Sequence, residues 1–252
     1  MIKVTIYNEN VHEHEEVKGL IMKEIYPEGI HGVLKEILAC DEVQVRIALM
    51  QGQECGLTEE VLEDTDVLVW WAHCAHHLVP DEVSARVVQH VLCGMGFIAL
   101  HSAMSSKPFM ALMGTSCTIR YKHDDFERVF CCMPSHPIAE GVPENFELEV
   151  EETYGEFFDI PTPDELLYLG WFDSGEVIRG GCTWKRGYGK VFFFQPGHET
   201  NPSYLNPHVR RILQNAVRWA APTARRKPPI EHRHVNPSLE MLRHGVTEPT
   251  DH

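Results

Sequence analysis

The feature that most constrains the fold is an alternation of short apolar segments with helix signals through the first half of the chain. The segments DVLVWW (residues 66–71) and GFIAL (residues 96–100) are short and continuously apolar, as is typical of strands covered on both faces of a parallel sheet. Between them, Pro80 and Asp81 mark a helix start, and Gly94 follows the helix end. Because strand–helix–strand units connect in a right-handed sense, this pattern predicts a doubly wound, mostly parallel α/β sheet.

Other segments extend this sheet. We predict strands at residues 2–7 and 42–49, a polar segment followed by a helix near residues 31–39, and a short helix after Thr58 as its N-cap. The later strand-like segments are CTIRY, RVFCC, FELEVEETY, ELLYLGWF, VIRGGCTW and GKVFFFQ. They predict antiparallel additions to the main sheet, as one or two hairpins, rather than a second domain. The amphipathic segment YLNPHVRRILQNAVRWAA predicts a final helix that covers the sheet.

The composition changes at Pro222, where proline, arginine and histidine become frequent. We therefore expect one α/β domain over residues 1–222 and a C-terminal tail over residues 223–252. Within the tail, Asn236 as an N-cap and Gly245 after the end predict one short helix at residues 237–244. The tail is expected to pack on a neighbouring surface or on the partner subunit of a homo-oligomer, with a disordered tail as the alternative.

Charge and cysteine content exclude several classes of function. The net charge of −15 argues against nucleic acid or an anionic membrane surface as a partner, since both require a basic surface. No apolar run approaches the roughly 20 residues of a membrane span, and a strand rather than a signal segment opens the sequence, so we expect a cytoplasmic protein. The eight cysteines contain no C-x-x-C pair, which indicates reduced thiols.

Polar residues follow the carboxyl ends of four predicted strands, which a parallel sheet brings to one edge where ligands bind. The clusters are Asn8, Glu9, Asn10, His12 and His14; His73, His76 and His77; His101 and Ser102; and His198 and Glu199. His101 and His198 each end a strongly apolar strand, so a buried imidazole there needs a partner. Other histidines are expected at the surface, namely His123 and His136 in turn-like segments and His232, His234, His244 and His252 in the tail.

Several segments together resemble the ThuA-like (trehalose utilisation) family: TIYNENVHE, DVLVWWAHCAHH, GMGFIALHSA, HPIAEGVPENFELEVEETYGE, WKRGYGKVFFFQPGHET and NAVRWAAP. The resemblance implies a flavodoxin-like fold similar to that of class I glutamine amidotransferases. In those enzymes a cysteine follows a central strand and a histidine with a nearby glutamate follows a later one. His101 stands near the position of that cysteine and His198 near that of the histidine. Without a thiolate, amidotransferase chemistry is not expected.

Two imidazoles and a carboxylate at this place suit a divalent metal, with zinc as the first expectation. The expected ligands are His101, His198 and Glu152; the resemblance favours Glu152 over Glu151 and Glu199. His12, His73 and His76 are further ligands or supporting groups. Glu9, Glu152 and Ser102 are the candidate catalytic residues, and the substrate-binding candidates are Asn8, His12, His73, His76 and Tyr154. Several aromatic residues could stack against a sugar, although we expect most of them in the core. They are Trp70, Trp71, Tyr154, Trp171 and Trp184.

This ligand set leads us to expect a metal-dependent enzyme, and the family resemblance implies carbohydrate metabolism, with a disaccharide or a keto-sugar as the small-molecule partner. Two alternatives remain at this point. Ser102 and His198 could form a metal-free hydrolase, although ALHSAM lacks the G-x-S-x-G pattern of a serine elbow. The fold could also serve as a non-catalytic sugar-binding or regulatory module.

Overall fold

The computed structural model describes residues 1–228 and 242–245. Its helices and strands alternate in the first half, as predicted, and strands dominate the middle. In chain order they are β1 (Ile2–Asn8), α1 (Lys18–Ile25), α2 (Gly29–Leu38), β2 (Val43–Leu49), α3 (Glu59–Glu63), β3 (Val67–Trp71), α4 (Asp81–Leu92), β4 (Gly96–Leu100), α5 (Lys107–Met113), β5 (Arg120–Cys131), β6 (Asn145–Gly155), β7 (Glu165–Phe172), β8 (Val177–Arg186), β9 (Gly189–Phe194) and α6 (Pro207–Ala220).

The nine strands form one sheet in the order β2-β1-β3-β4-β9-β8-β7-β5-β6. The first five strands of this order run parallel, and the remaining four continue the sheet in antiparallel pairs. The α/β prediction with antiparallel additions is therefore confirmed. If the five parallel strands are numbered by their order along the chain, so that β9 is the fifth, their order in the sheet is 2-1-3-4-5. Because these strands are parallel, the carboxyl ends of β1, β3, β4 and β9 lie at one edge of the sheet.

Two predictions for the middle of the chain are wrong. The segments CTIRY and RVFCC do not form separate strands, because β5 continues through the turn-like residues His123 and Asp124 with register shifts against β6. His136 is not at the surface, since it is only 7% exposed. Its Nδ1 accepts a hydrogen bond from the backbone N–H of Ile138 at 3.1 Å, and its Nε2 lies 3.2 Å from a carboxylate oxygen of Glu165.

Two helices occupy segments for which the sequence predicted none. Helix α1 replaces part of the polar segment after β1. Helix α5 begins after Ser106, whose hydroxyl accepts a hydrogen bond from the backbone N–H of Phe109, and it ends at Gly114 in the left-handed region. The cap at Thr58, in contrast, is confirmed, because its hydroxyl accepts a hydrogen bond from the backbone N–H of Val61.

The apolar core lies in two clusters, one on each face of the sheet. Alternate residues of a strand enter different clusters, as Val69 and Trp71 do on one side and Leu68 and Trp70 on the other. This double covering explains why the parallel strands are apolar without interruption. Trp70, Trp71 and Trp184 are at most 1% exposed, so these three indoles are part of the core, as expected.

No helix in residues 1–228 or 242–245 is long and apolar enough to cross a lipid bilayer. The helix predicted at residues 237–244 lies outside the described residues, apart from its last three positions.

Glu127 on β5 is an exception within the core. It is 1% exposed, and neither carboxylate oxygen has a hydrogen-bond partner among the described residues. Burial raises the pKa of Glu127 well above its usual value of 4.5, and the negative charge of Glu151 raises it further. As the pH rises above 4.5, the unfolded chain therefore loses this proton before the folded one, and the folded state is progressively destabilised.

We expect Glu127→Met to raise the free energy of unfolding by about 1–3 kcal/mol at pH 8, because an unsatisfied buried polar group is removed. The gain should become smaller as the pH is lowered towards 4.5, where the unfolded-state carboxyl is protonated too. Urea unfolding at several pH values measures it. Glu149→Met on the exposed side of β6 is the control and should show no such gain. A Glu127→Met protein less stable than the wild type at pH 8 would contradict the prediction.

Candidate metal centre

The sheet edge at the carboxyl ends of the parallel strands carries three histidines. His73 follows β3, His101 is the first residue after β4, and His198 follows β9. His101 adopts φ +53°, in the left-handed region that non-glycine residues rarely occupy. This conformation turns the chain sharply out of the central strand. It also directs the fully buried imidazole across to β9, where Nδ1 donates to the backbone carbonyl of Gln195 at 3.1 Å.

The three imidazoles converge with one carboxylate. His73, His101, His198 and Glu152 each place one ligand atom within 4.8 Å of the others. The Nε2 atoms of His101 and His73 lie 3.1 Å and 3.9 Å from Glu152 Oε2. The ring centroids of His101 and His198 are 5.4 Å apart. A set of three imidazoles and one carboxylate is a frequent ligand set for zinc and similar divalent ions.

Each imidazole is held from behind at its Nδ1 atom. This arrangement fixes the ring orientation and directs Nε2 towards the other members of the cluster. The three supporting contacts are His73 Nδ1 to Glu199 Oε2 at 2.9 Å, His101 Nδ1 to the Gln195 carbonyl at 3.1 Å, and His198 Nδ1 to Thr200 Oγ1 at 2.9 Å. The carboxylate of Glu199 is fully buried and also receives a hydrogen bond from Lys18 Nζ at 2.8 Å.

The electrostatics of the cluster also suit a cation. Burial lowers the pKa of His198 to about 4, and the neighbouring His101 lowers it too, so this imidazole is neutral at neutral pH. Burial alone would raise the pKa of Glu152, but His101, His198 and His73 hold it at about 2. For His101, burial opposes protonation and the Glu152 carboxylate outweighs it, so the pKa of His101 is raised.

Two carboxylate oxygens are left without a hydrogen bond of acceptable geometry from the described residues, Glu199 Oε2 beside His73 and Glu152 Oε2 inside the cluster. Glu152 Oε2 is buried and receives no hydrogen bond of acceptable geometry from the described residues, although His101 Nε2 is 3.1 Å away. A buried carboxylate oxygen without a donor is costly unless a cation or another donor compensates it. The residues present therefore fit a divalent ion bound between Glu152 and the three imidazoles.

Comparison with known proteins agrees with this layout. Over residues 3–220 the chain matches the sequence model of the ThuA family, whose description is trehalose utilisation. The chain belongs to the ThuA family. The resemblance drawn from the sequence motifs is thereby confirmed. No curated protein sequence matches the chain.

Solved structures share the architecture of this ThuA chain. A ThuA-like protein from Parabacteroides merdae is 16% identical with a TM-score of 0.65, covering 91% of this chain and 93% of that one. Another, from Bacteroides uniformis, is 16% identical with a TM-score of 0.60, covering 87% and 91%. A cytoplasmic protein from Salmonella typhimurium is 11% identical with a TM-score of 0.60, covering 88% and 100%. At such identities the likeness shows the fold alone.

A second polar group lies beside the cluster of His73, His101, Glu152 and His198. His12 is buried, and its Nε2 lies 3.0 Å from His73 Nδ1 and 3.8 Å from Glu9 Oε1. The carboxylate of Glu9 accepts hydrogen bonds from the backbone N–H groups of Cys74 and Ala75 at 2.8–3.2 Å. Glu9 therefore holds the loop after β3 that carries His73.

The remaining candidates from the sequence are placed differently. Asn8 is fully buried and its side chain contacts Glu13, His31 and Asn10, away from the histidine cluster. His14 and His77 are exposed. The carboxylate of Glu151, next to Glu152, turns away from the imidazoles and accepts hydrogen bonds from the backbone of Gly197 and His198 and from the Ser203 hydroxyl.

A cavity of about 360 Å³ opens beside the cluster. Its walls include His73, His76, Ser102, Glu152 and Tyr154. The Ser102 hydroxyl hydrogen-bonds to the Tyr154 hydroxyl at 2.5 Å, and the Tyr154 ring stacks on His101 with centroids 5.1 Å apart. Burial raises the pKa of Tyr154 well above 10, and Glu152 raises it further, so the phenol stays protonated.

Sequence reasoning missed the groups that hold the imidazoles. Gln195 and Thr200 flank His198 in the motif FQPGHET, so their proximity to the site was visible. Their roles were not, because the Gln195 contact uses a backbone carbonyl and Thr200 acts through a local turn. The role of Lys18 could not be predicted from the sequence, since Lys18 and its partner Glu199 are 181 residues apart in the chain.

Proposed function

We propose that this ThuA-family chain is a metal-dependent enzyme of carbohydrate metabolism that acts on a disaccharide or a keto-sugar. The observation that carries the proposal is the convergence of His73, His101, His198 and Glu152 within 4.8 Å beside an open cavity. The carbohydrate class comes from the family description, trehalose utilisation. The proposal includes a flavodoxin-like, amidotransferase-like fold and a cytoplasmic location.

The donor set favours zinc, bound by three Nε2 atoms and the Glu152 carboxylate. When bound, such an ion supplies Lewis-acid polarisation of a carbonyl or lowers the pKa of a water molecule. Glu199 and the Gln195 carbonyl keep two of the imidazoles in the tautomer that presents Nε2.

Tyr154 is the group best placed to handle a proton. Its hydroxyl stays protonated, lies 3.3 Å from His101 Nε2 and borders the cavity. It can donate to an oxygen of a bound sugar and recover a proton through Ser102. Glu9, in contrast, is engaged with backbone N–H groups and supports the loop after β3 rather than transferring protons.

Amidotransferase chemistry and a serine hydrolase are both disfavoured. His101 occupies the turn after β4, and the nearby Cys74 thiol has its pKa raised to about 12 by desolvation and by Glu9, so it supplies no thiolate there. Ser102 hydrogen-bonds to Tyr154, and among residues 1–228 no hydrogen bond joins it to His198. Ser102 therefore lacks the imidazole base that a hydrolase would need.

The test uses untagged protein, because a histidine tag binds metal itself. We expect elemental analysis to find about one divalent metal per chain. We expect turnover of a disaccharide or of a keto-sugar to be lost with a chelator and restored by Zn²⁺, Co²⁺ or Mn²⁺. Metal-free protein that still turns over a sugar would contradict the metal proposal. Sugar binding without turnover, with or without metal, would show a binding module instead.

A further inference from the structure

The cavity beside the histidine cluster has walls of two kinds. Hydroxyl groups line it at Ser102, Ser105 and Thr118, and apolar side chains line it at Met104 and Ile119. A sugar ring likewise has polar and apolar surfaces, because hydroxyl groups project from its rim while its C–H bonds form apolar faces. His76 also lines this wall.

Tyr121 stands at the mouth of this cavity. It is 73% exposed and lies directly opposite Tyr154 in the β5–β6 ladder. Side chains of directly opposed residues lie on the same face of an antiparallel pair. Tyr154, only 2% exposed, forms the floor of this face against His101, and Tyr121 continues it outwards to solvent.

We infer that Tyr121 is the platform for the outer ring of a two-ring sugar whose inner ring enters the cavity next to His73 and Glu152. The inference rests on the proposed function. The cavity, about 360 Å³, is near the lower end of the roughly 300–1,000 Å³ of small-molecule pockets, which suits one ring inside it and a second at its mouth.

The chemistry at the mouth favours an uncharged ligand. The cationic neighbours Arg120 and Lys122 alternate with Tyr121 along β5 and so project from the opposite face. Both are already paired, Arg120 with Glu176 at 2.6 Å and Lys122 with Asp125 at 3.5 Å. The Tyr121 ring thus offers an exposed aromatic surface with neither of these cations on its face, and the Glu152 carboxylate on that face disfavours an anionic ligand. This combination suits stacking on the C–H face of a neutral sugar.

The experiment compares two-ring and one-ring sugars by calorimetric titration of the full chain. The probes are trehalose, maltose, sucrose and, as the one-ring ligand, methyl α-glucoside. We expect the wild type to bind at least one disaccharide more tightly than methyl α-glucoside. Tyr121→Ala should weaken that disaccharide about tenfold and leave methyl α-glucoside unchanged. Tyr121→Phe should keep the wild-type preference, because the ring is retained.

Tyr188→Ala is the matched control, since Tyr188 is exposed but lies in the turn between β8 and β9, at the other end of the sheet. The inference would be overturned if Tyr121→Ala weakened the binding of one-ring and two-ring sugars equally, or weakened neither. It would also be overturned if the wild type showed no preference for a disaccharide. Metal content of the same samples separates it from the proposed function. If metal-free protein prefers two-ring sugars and this preference depends on Tyr121, the proposed metal-dependent enzyme would be refuted and the inference about Tyr121 would stand.

Discussion

Replacing His101 or His198 by alanine is expected to weaken divalent metal binding by more than about a hundredfold while the sheet remains folded. Each variant removes one of the three imidazoles whose ligand atoms lie within 4.8 Å of one another and of the Glu152 carboxylate. Loss of a group that merely supports a metal ligand already costs roughly 10–100-fold in affinity, so loss of a ligand should cost more. Elemental analysis after dialysis measures the effect, and circular dichroism checks the fold.

His123→Ala is the control for these variants, because His123 is an exposed imidazole on β5 outside the cluster. It should retain the full metal content. His198 is the more informative of the two positions if His101→Ala fails to fold, since its side chain is 11% exposed whereas that of His101 is fully buried. A folded His198→Ala protein with the wild-type metal content would contradict the assignment.

Glu151→Ala is expected to lower the free energy of unfolding by about 3–5 kcal/mol. The fully buried carboxylate of Glu151 accepts hydrogen bonds from the backbone N–H groups of Gly197 and His198 and from the Ser203 hydroxyl. Alanine leaves these donors buried and unsatisfied, at roughly 1–3 kcal/mol each. Because two of them belong to the loop that carries His198, metal affinity should fall as well.

Urea unfolding of the apo-protein measures the stability change without a contribution from the metal. Glu149→Ala is the matched control, because Glu149 is on the same strand, β6, with its side chain exposed. Glu151→Gln should be intermediate, since one carbonyl oxygen still accepts. If Glu151→Ala were as stable as Glu149→Ala, the loop after β9 would have to be held by other contacts.

The sequence predicted the parallel part of the sheet well because the periodicity there is strong. The strands β3 and β4 are apolar without interruption, and α4 carries recognisable residues at both ends. From that alternation alone, the carboxyl ends that carry His73 and His101 could be placed at one edge. Local sequence patterns determine these elements, so they are readable without tertiary information.

The elements that the sequence missed depend on contacts distant in the chain. Helix α1 has exposed apolar side chains, including Leu20 at 67%, so its pattern does not follow the usual rule of a buried apolar face. Strand β5 runs through His123 and Asp124, polar residues that would form a turn in isolation. Pairing with β6 on both sides of these two residues, at Lys122 and at Asp125, keeps the strand extended.

The candidate site was only partly visible for a related reason. Chain order shows which residues follow a strand, but not which way their side chains turn. Glu151 and Glu152 are adjacent, yet one supports the His198 loop and the other faces the imidazoles. Tyr121 and Tyr154 are neighbours only through the cross-strand register, which the sequence does not specify. These distinctions depend on the three-dimensional arrangement of the strands.

The most direct test of the metal centre is a crystal structure of the untagged protein, with anomalous diffraction measured on both sides of the metal absorption edge. We predict one anomalous peak bounded by the Nε2 atoms of His73, His101 and His198 and by the Glu152 carboxylate, at about 2.0–2.2 Å from each if the ion is zinc. A fully metallated crystal whose peak lies elsewhere, for example at Glu9, His12 and Cys74, would contradict it, as would a crystal grown with excess metal that shows no peak among these four residues.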